Sequence, residues 1–193
     1  ANRKDINMSH FIDIANHFQL DSGAVSAESH GDGHINDTFL LKTENGGNYI
    51  LQRINTSVFK NAEALMNNVI QVTDFLKKRI AEAGGDPLRE TLNVIRTKEG
   101  DALYREGENY WRVYIFISDT ITLQTCENRE QFQASASAFG HFQKLLADFP
   151  ADTLYESIPD FHNTKSRYLD FEAAVAQDVC GRAAAVEKEI DFV

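Results

Sequence analysis

Residues Gly31-Asp-Gly-His-Ile-Asn-Asp-Thr38 place two glycines, a histidine and several Asn/Asp side chains directly before the apolar run Phe39-Leu-Leu41. Chemically this suits a hairpin turn whose glycines, Gly31 and Gly33, let backbone N–H groups approach a phosphate. His34 adds a neutral imidazole that both donates and accepts hydrogen bonds. Asn36 and the glycines also suit a plain turn for backbone reasons. Further along, Arg53 offers a permanently charged fork that matches phosphate oxygens.

Elements must hold these groups together. Phe11, Ile14, Ala15, Phe18 and Leu20 recur at helical spacing, predicting a short helix over residues 9–19 capped by Ser9. Strands are predicted at 24–29, 38–43 and 48–54, the last two joined by Asn45-Gly-Gly47, so that Arg53 stands near the end of the third strand of a meander. A long helix follows over residues 61–83, with Gly84-Gly85 ending it. Strands return at 92–97, 102–104 and in the run Tyr110-Trp-Arg-Val-Tyr-Ile-Phe-Ile117. From Glu127 onward the period is helical: Phe132, Ala136, Phe139, Leu145 and Leu146 form one stripe, broken at Pro150, and a second helix is predicted from Phe171 to about Val193. The change from sheet to helix at residues 118–126 predicts two parts, 1–118 and 119–193.

Composition sets the outer limits. At 193 residues, 42% of them apolar, the chain is long enough to bury a core. A net charge of −10 argues against non-specific affinity for nucleic acid or an anionic membrane. No apolar run approaches the roughly 20 residues of a membrane helix, and the N-terminus lacks the apolar core of a signal peptide. Cys126 and Cys180 have no metal-like spacing and are expected to be reduced thiols of a cytoplasmic protein.

Helix, hairpin with a glycine turn, third strand with a cation, helix, strands and an apolar linker is the layout of a protein-kinase-like small lobe, an α+β arrangement. The segments GHINDTFLL, YILQRINTSVF, ALMNNVIQVTDFL, AFGHFQKLLADFP and IPDFHNT, taken in this order, resemble the aminoglycoside phosphotransferase and choline kinase superfamily, and within it sugar kinases of the N-acetylhexosamine 1-kinase type. The resemblance implies phosphorylation of the anomeric hydroxyl of an N-acetylhexosamine, an amino sugar, with ATP and Mg²⁺. Kinases for choline, homoserine, hydroxylysine or an aminoglycoside share the same small-lobe plan. It further implies that Gly31, Gly33 and Asn36 face the nucleotide, that His34 contacts the sugar or the transferring phosphate, and that Ile115 and Ile117 meet adenine through backbone C=O and N–H. Arg53 would neutralise phosphate, with Gln52 the alternative if the strand register places it where related kinases carry lysine. The usual glutamate partner on the following helix has no clear counterpart, since Glu63 lies early and Asn67 and Asn68 hold the central positions. Phe161-His-Asn-Thr164 and Arg167 resemble positions near the acceptor pocket, where capping roles are an equal alternative.

The superfamily's catalytic loop, His-x-Asp with an Asn five residues after the Asp, has no good match. His30-Gly31-Asp32 is followed by Asp37 at the fifth place and precedes the linker, on the wrong lobe. Glu189-Ile-Asp191 has no such loop upstream. The resemblance therefore implies that the chain corresponds to the N-terminal portion of a longer kinase, inactive alone, with metal ligands beyond Val193. The helices after residue 127 are then expected to expose their apolar stripes or to pair in a homo-oligomer. A non-catalytic binding or assembly module built on the same lobe is the alternative from another class.

Overall fold

The structure is a computed structural model that describes residues 8–31, 33–123 and 125–193. The first seven residues and Asp32, the end of the His30-Gly31-Asp32 triplet, lie outside the described residues. Two compact units are present, one reaching to Ser157 and the other spanning Ile158–Val193.

The first unit is α+β. In chain order it contains α1 (Met8–Ala15), β1 (Ala24–Ser29), β2 (Asp37–Thr43), β3 (Asn48–Arg53), α2 (Ala62–Glu82), α3 (Pro87–Glu90), β4 (Val94–Ile95), β5 (Tyr104–Glu106), β6 (Asn109–Ile115) and α4 (Arg129–Leu145). The strands form one antiparallel sheet in the order β1-β2-β3-β6-β4, with β5 paired to β6 beside β4. β1–β2–β3 is the predicted meander. Asn45-Gly46 turns it with Gly46 at φ 85°, a left-handed conformation that favours glycine, and with Gly46 N–H donating to Thr43 C=O.

Alternation along each strand splits the sheet into two faces. One face carries Phe39, Leu41, Leu51, Trp111 and Val113, and against it α1 packs Phe11, Ile14 and Ala15, with Phe18 completing the cluster. The helix is shorter than the predicted 9–19. After Ala15 the chain tightens, His17 N–H bonding Ile14 C=O and Phe18 N–H bonding Ala15 C=O, and Phe18 then bridges to Thr97. The opposite face is covered in part by α2, through a smaller cluster of Ile54, Ala62 and Met66 with Leu65, Val69 and Tyr110 around it.

α2 starts where Asn61 caps it, its side-chain oxygen accepting from Ala64 N–H at 2.9 Å. Its outer side holds the segment that follows α4. Asn68 clamps the backbone of Tyr155 from both sides, donating to the C=O at 2.7 Å and accepting from the N–H at 2.9 Å. Phe75 meets Phe149 edge-on at 5.3 Å, and Arg79 pairs with Asp148 at 3.2 Å. These contacts explain why the first unit continues to Ser157 although its sheet is complete by Ile115. Phe132, Phe139 and Phe142 on α4 are exposed.

The second unit consists of α5 (Thr164–Gln177), a 3₁₀ turn at Ala183–Val186 and α6 (Glu187–Phe192). The single helix predicted from Phe171 to Val193 is thus two helices. Asn163 starts α5 early by capping Ser166 N–H at 3.1 Å. Asp178 ends it in a left-handed conformation, φ 37°, and its carboxylate accepts from the N–H groups of Arg182 and Ala183. The hydrogen bonds that a continuing helix would form are satisfied by that side chain. Among the described residues no helix is long and apolar enough to cross a membrane, and Cys126 and Cys180 are both exposed and unpaired.

Candidate functional site

The turn between β1 and β2 is fixed from below. His30 N–H bonds Thr38 C=O at 2.9 Å, closing the hairpin. Asn36 reaches across to the chain leaving β3: its side-chain oxygen accepts from Asn55 N–H at 3.0 Å, and Asn55 in turn donates to Ile35 C=O at 3.0 Å. The Asn36 side chain is therefore committed to the hairpin, as Asn often is in turns. Gly31 has φ 76°, which a side chain would strain; Gly33 has no such requirement, and open space lies around both. Gly31, Gly33, His34 and Asn36 share a cavity of about 380 Å³ with Met8 and Phe11 of α1, so the predicted turn residues do lie together.

The register at the end of β3 separates the two candidates for the phosphate cation. Arg53 lies toward α1. Its guanidinium pairs with Asp37, which faces it on β2, with Nε at 2.9 Å, and sits over the Trp111 ring at 5.9 Å. Gln52 lies on the α2 face. Arg53 thus has its charge paired with a carboxylate on the side of the sheet away from α2.

On the α2 face, four side chains form a chain of contacts across the sheet. Gln52 donates to Thr38 Oγ1 at 2.9 Å. The Gln52 carbonyl oxygen accepts two hydrogen bonds from Arg112, from Nε at 3.0 Å and Nη2 at 2.7 Å. Arg112 Nη1 reaches the Met66 sulfur on α2 at 3.5 Å. Burial holds Arg112 below the ordinary arginine value, with the neighbouring Tyr114 opposing that shift; burial raises the Tyr114 phenol, with Arg112 opposing. Among the described residues no carboxylate forms an ion pair with Arg112.

Where β6 ends, the Ile115 N–H bonds Asn93 C=O at 3.0 Å, and Asn93 is held by its own side-chain donations to Pro87, Leu88 and Thr91. Ile117 N–H has no hydrogen-bond partner among the described residues, and Ile115, Phe116 and Ile117 are half-buried. The ring of Phe116 meets the ring of His30 edge-on at 5.5 Å, so the glycine turn and the end of β6 face each other. Another cavity, of about 580 Å³, lies between α2 and the segment 96–105, with Glu63 and Asn67 on its wall.

The remaining predicted positions have local roles. Asn163 caps α5, and Arg167 donates to Phe161 C=O at 3.2 Å. Asn68 clamps Tyr155, a role that only the long-range pairing makes visible. Among the described residues no group of three His, Cys, Asp or Glu side chains is placed to hold a metal ion.

No family model matches the sequence. Among solved structures, amicoumacin kinase hAmiN in complex with AMP-PNP, Ca²⁺ and Ami is similar over 75% of this chain and 41% of its own, at 15% identity and a TM-score of 0.49. A spectinomycin phosphotransferase in complex with ADP and spectinomycin is similar over 98% of this chain and 60% of its own, at 11% identity and a TM-score of 0.45. The chain therefore spans less than two thirds of the length of either enzyme.

Proposed function

We propose that this chain is the nucleotide-binding portion of an ATP-dependent small-molecule phosphotransferase, one that phosphorylates the anomeric hydroxyl of an N-acetylhexosamine. The observation that carries the reading is the arrangement of the sheet: a glycine turn between the first two strands, a helix on the same side as Gln52 and Arg112, and a last central strand whose end faces that turn. In a kinase-like lobe those parts cover the phosphates, bring a cation to them and present backbone to adenine.

In this reading the Ile117 N–H and Ile115 C=O are assigned to adenine, and the backbone of Gly31 and Gly33 to the phosphates. His34, exposed at the tip of the turn, is assigned to the sugar, where an imidazole suits a hydroxyl. Asn36 acts by fixing the turn. Nucleotide entry separates His30 from Phe116. Mg²⁺, when bound, supplies charge neutralisation of the phosphates, and its ligands and the catalytic aspartate belong to sequence beyond Val193.

Reading the gene past Val193 tests this directly. A His-x-Asp-x-x-x-x-Asn loop is expected, and the complete product should phosphorylate N-acetylglucosamine or N-acetylgalactosamine with ATP and Mg²⁺. Phosphorylation of choline but of no amino sugar would overturn the acceptor, and absence of ATP binding by the complete product would overturn the class. The exposed phenylalanines of α4 favour one other reading, an assembly module that covers them with a second copy. Sedimentation of this chain as a concentration-independent monomer sinks that alternative.

A further inference from the structure

We propose that Arg112 is the anion-binding residue of the α2 face, positioned by Gln52 to hold a phosphate group of the ligand. The identification of that ligand as a nucleotide rests on the function proposed above; the anion site itself does not.

Among the described residues Arg112 lacks the carboxylate partner that other arginines of the chain have. Arg53 and Arg79 have carboxylate partners, Asp37 and Asp148. Arg89, Arg96, Arg105 and Arg167 are exposed to water and donate to backbone carbonyls. Arg112 stands largely inside the protein, between β3 and α2, with no carboxylate paired to it among the described residues. A cation taken from water without a counter-ion is costly, and proteins rarely keep one without use.

Its geometry shows preparation. A guanidinium has five N–H donors in a rigid plane. Nε and Nη2 both point to one oxygen, Gln52 Oε1, while Nη1 has only a thioether partner in Met66. The Tyr114 ring lies 6.0 Å from the guanidinium carbon, and among the described residues two N–H groups, one on each terminal nitrogen, have no hydrogen-bond partner, so the fork that grips an oxyanion is the part left open. Gln52 is itself fixed by Thr38, the second residue of β2 after the glycine turn, so the fork is tied to the strand that the turn feeds. The neutral amide orients the cation without quenching it. Burial penalises the charge of Arg112, which an arriving anion would relieve.

Binding by the 193-residue chain decides the matter, with sodium tripolyphosphate, ATP and adenosine as probes, measured by calorimetry together with ligand-free melting. Arg112→Met should weaken tripolyphosphate and ATP about tenfold to a hundredfold, leave adenosine unchanged and keep the ligand-free melting temperature at or above that of the parent. Gln52→Glu places a resident carboxylate on the guanidinium and should abolish phosphate binding while the fold is retained. It decides the question if Arg112→Met does not fold. Unchanged tripolyphosphate affinity in these variants, equal weakening of adenosine, or no tripolyphosphate binding by the parent would overturn the proposal. Arg112-dependent capture of tripolyphosphate without ATP binding upholds the anion site and removes the kinase reading. ATP binding that ignores Arg112 does the reverse.

Discussion

The two faces of the sheet are built from alternate residues of the same strands, yet they are finished in opposite ways. Toward α1, Phe39, Leu51, Trp111 and Val113 meet Phe11, Ile14 and Phe18, and the charges on that side, Arg53 and Asp37, pair with each other where they are partly exposed. Toward α2, the middle of the sheet presents Thr38, Gln52 and Arg112, joined by hydrogen bonds, with the Arg112 guanidinium over the Tyr114 ring at 6.0 Å. One face has the composition of a core and stabilises the fold. The other retains groups whose burial works against stability, a pattern that marks functional sites more often than structural ones.

Substitutions can break or sharpen that contrast. Trp111→Ala, on the α1 face, should destabilise by about 3–5 kcal/mol in chemical denaturation, because it empties the largest buried side chain of the cluster. Loss of less than about 1 kcal/mol would mean that the α1 face is not the main source of stability. Asn61→Ala removes the cap of the helix that closes the α2 face and should cost about 1 kcal/mol, with helix loss seen by circular dichroism. Arg53→Ala breaks a partly exposed ion pair on the α1 side and should cost only about 0.2–1 kcal/mol, less still in high salt. In the longer kinase proposed above its ATP kinetics should stay unchanged, whereas weakened ATP use would return the phosphate role to Arg53. Arg112→Met should show the smallest loss, or a gain, since an apolar chain of similar length replaces an uncompensated charge.

Much of the scaffold can be read from local pattern. The bounds of β1, β2 and β3 follow from alternation and from Asn45-Gly46, and α2 from its 3.6-residue stripe with Asn61 before it and Gly84 after it. These signals lie within a few residues of what they determine. The split of the last helix depends on Asp178 folding its carboxylate back onto Arg182 and Ala183, a local bond that an apolar stripe does not announce. Asn163 before Thr164 was the available signal for the start of α5.

The candidate site is less legible because its meaning lies in pairs far apart in sequence. Arg112 reads as one residue of an apolar strand until β6 is set beside β3, which brings it opposite Gln52. The choice between Gln52 and Arg53 is a matter of one residue of register, and one residue exchanges the faces of a sheet. Asn68 gives no hint in sequence that it will hold the backbone of Tyr155, 87 positions away.

The sequence contains a single tryptophan, and it is Trp111, sealed against α1 and adjacent in the chain to Arg112. Its indole N–H is buried with no acceptor among the described residues. The chain thus carries one indole fluorophore, in an apolar setting, on the face of β6 opposite Arg112. A shift of β6 on ligand capture should alter its emission with no label added, and quenching by iodide should stay weak until the α1 face opens.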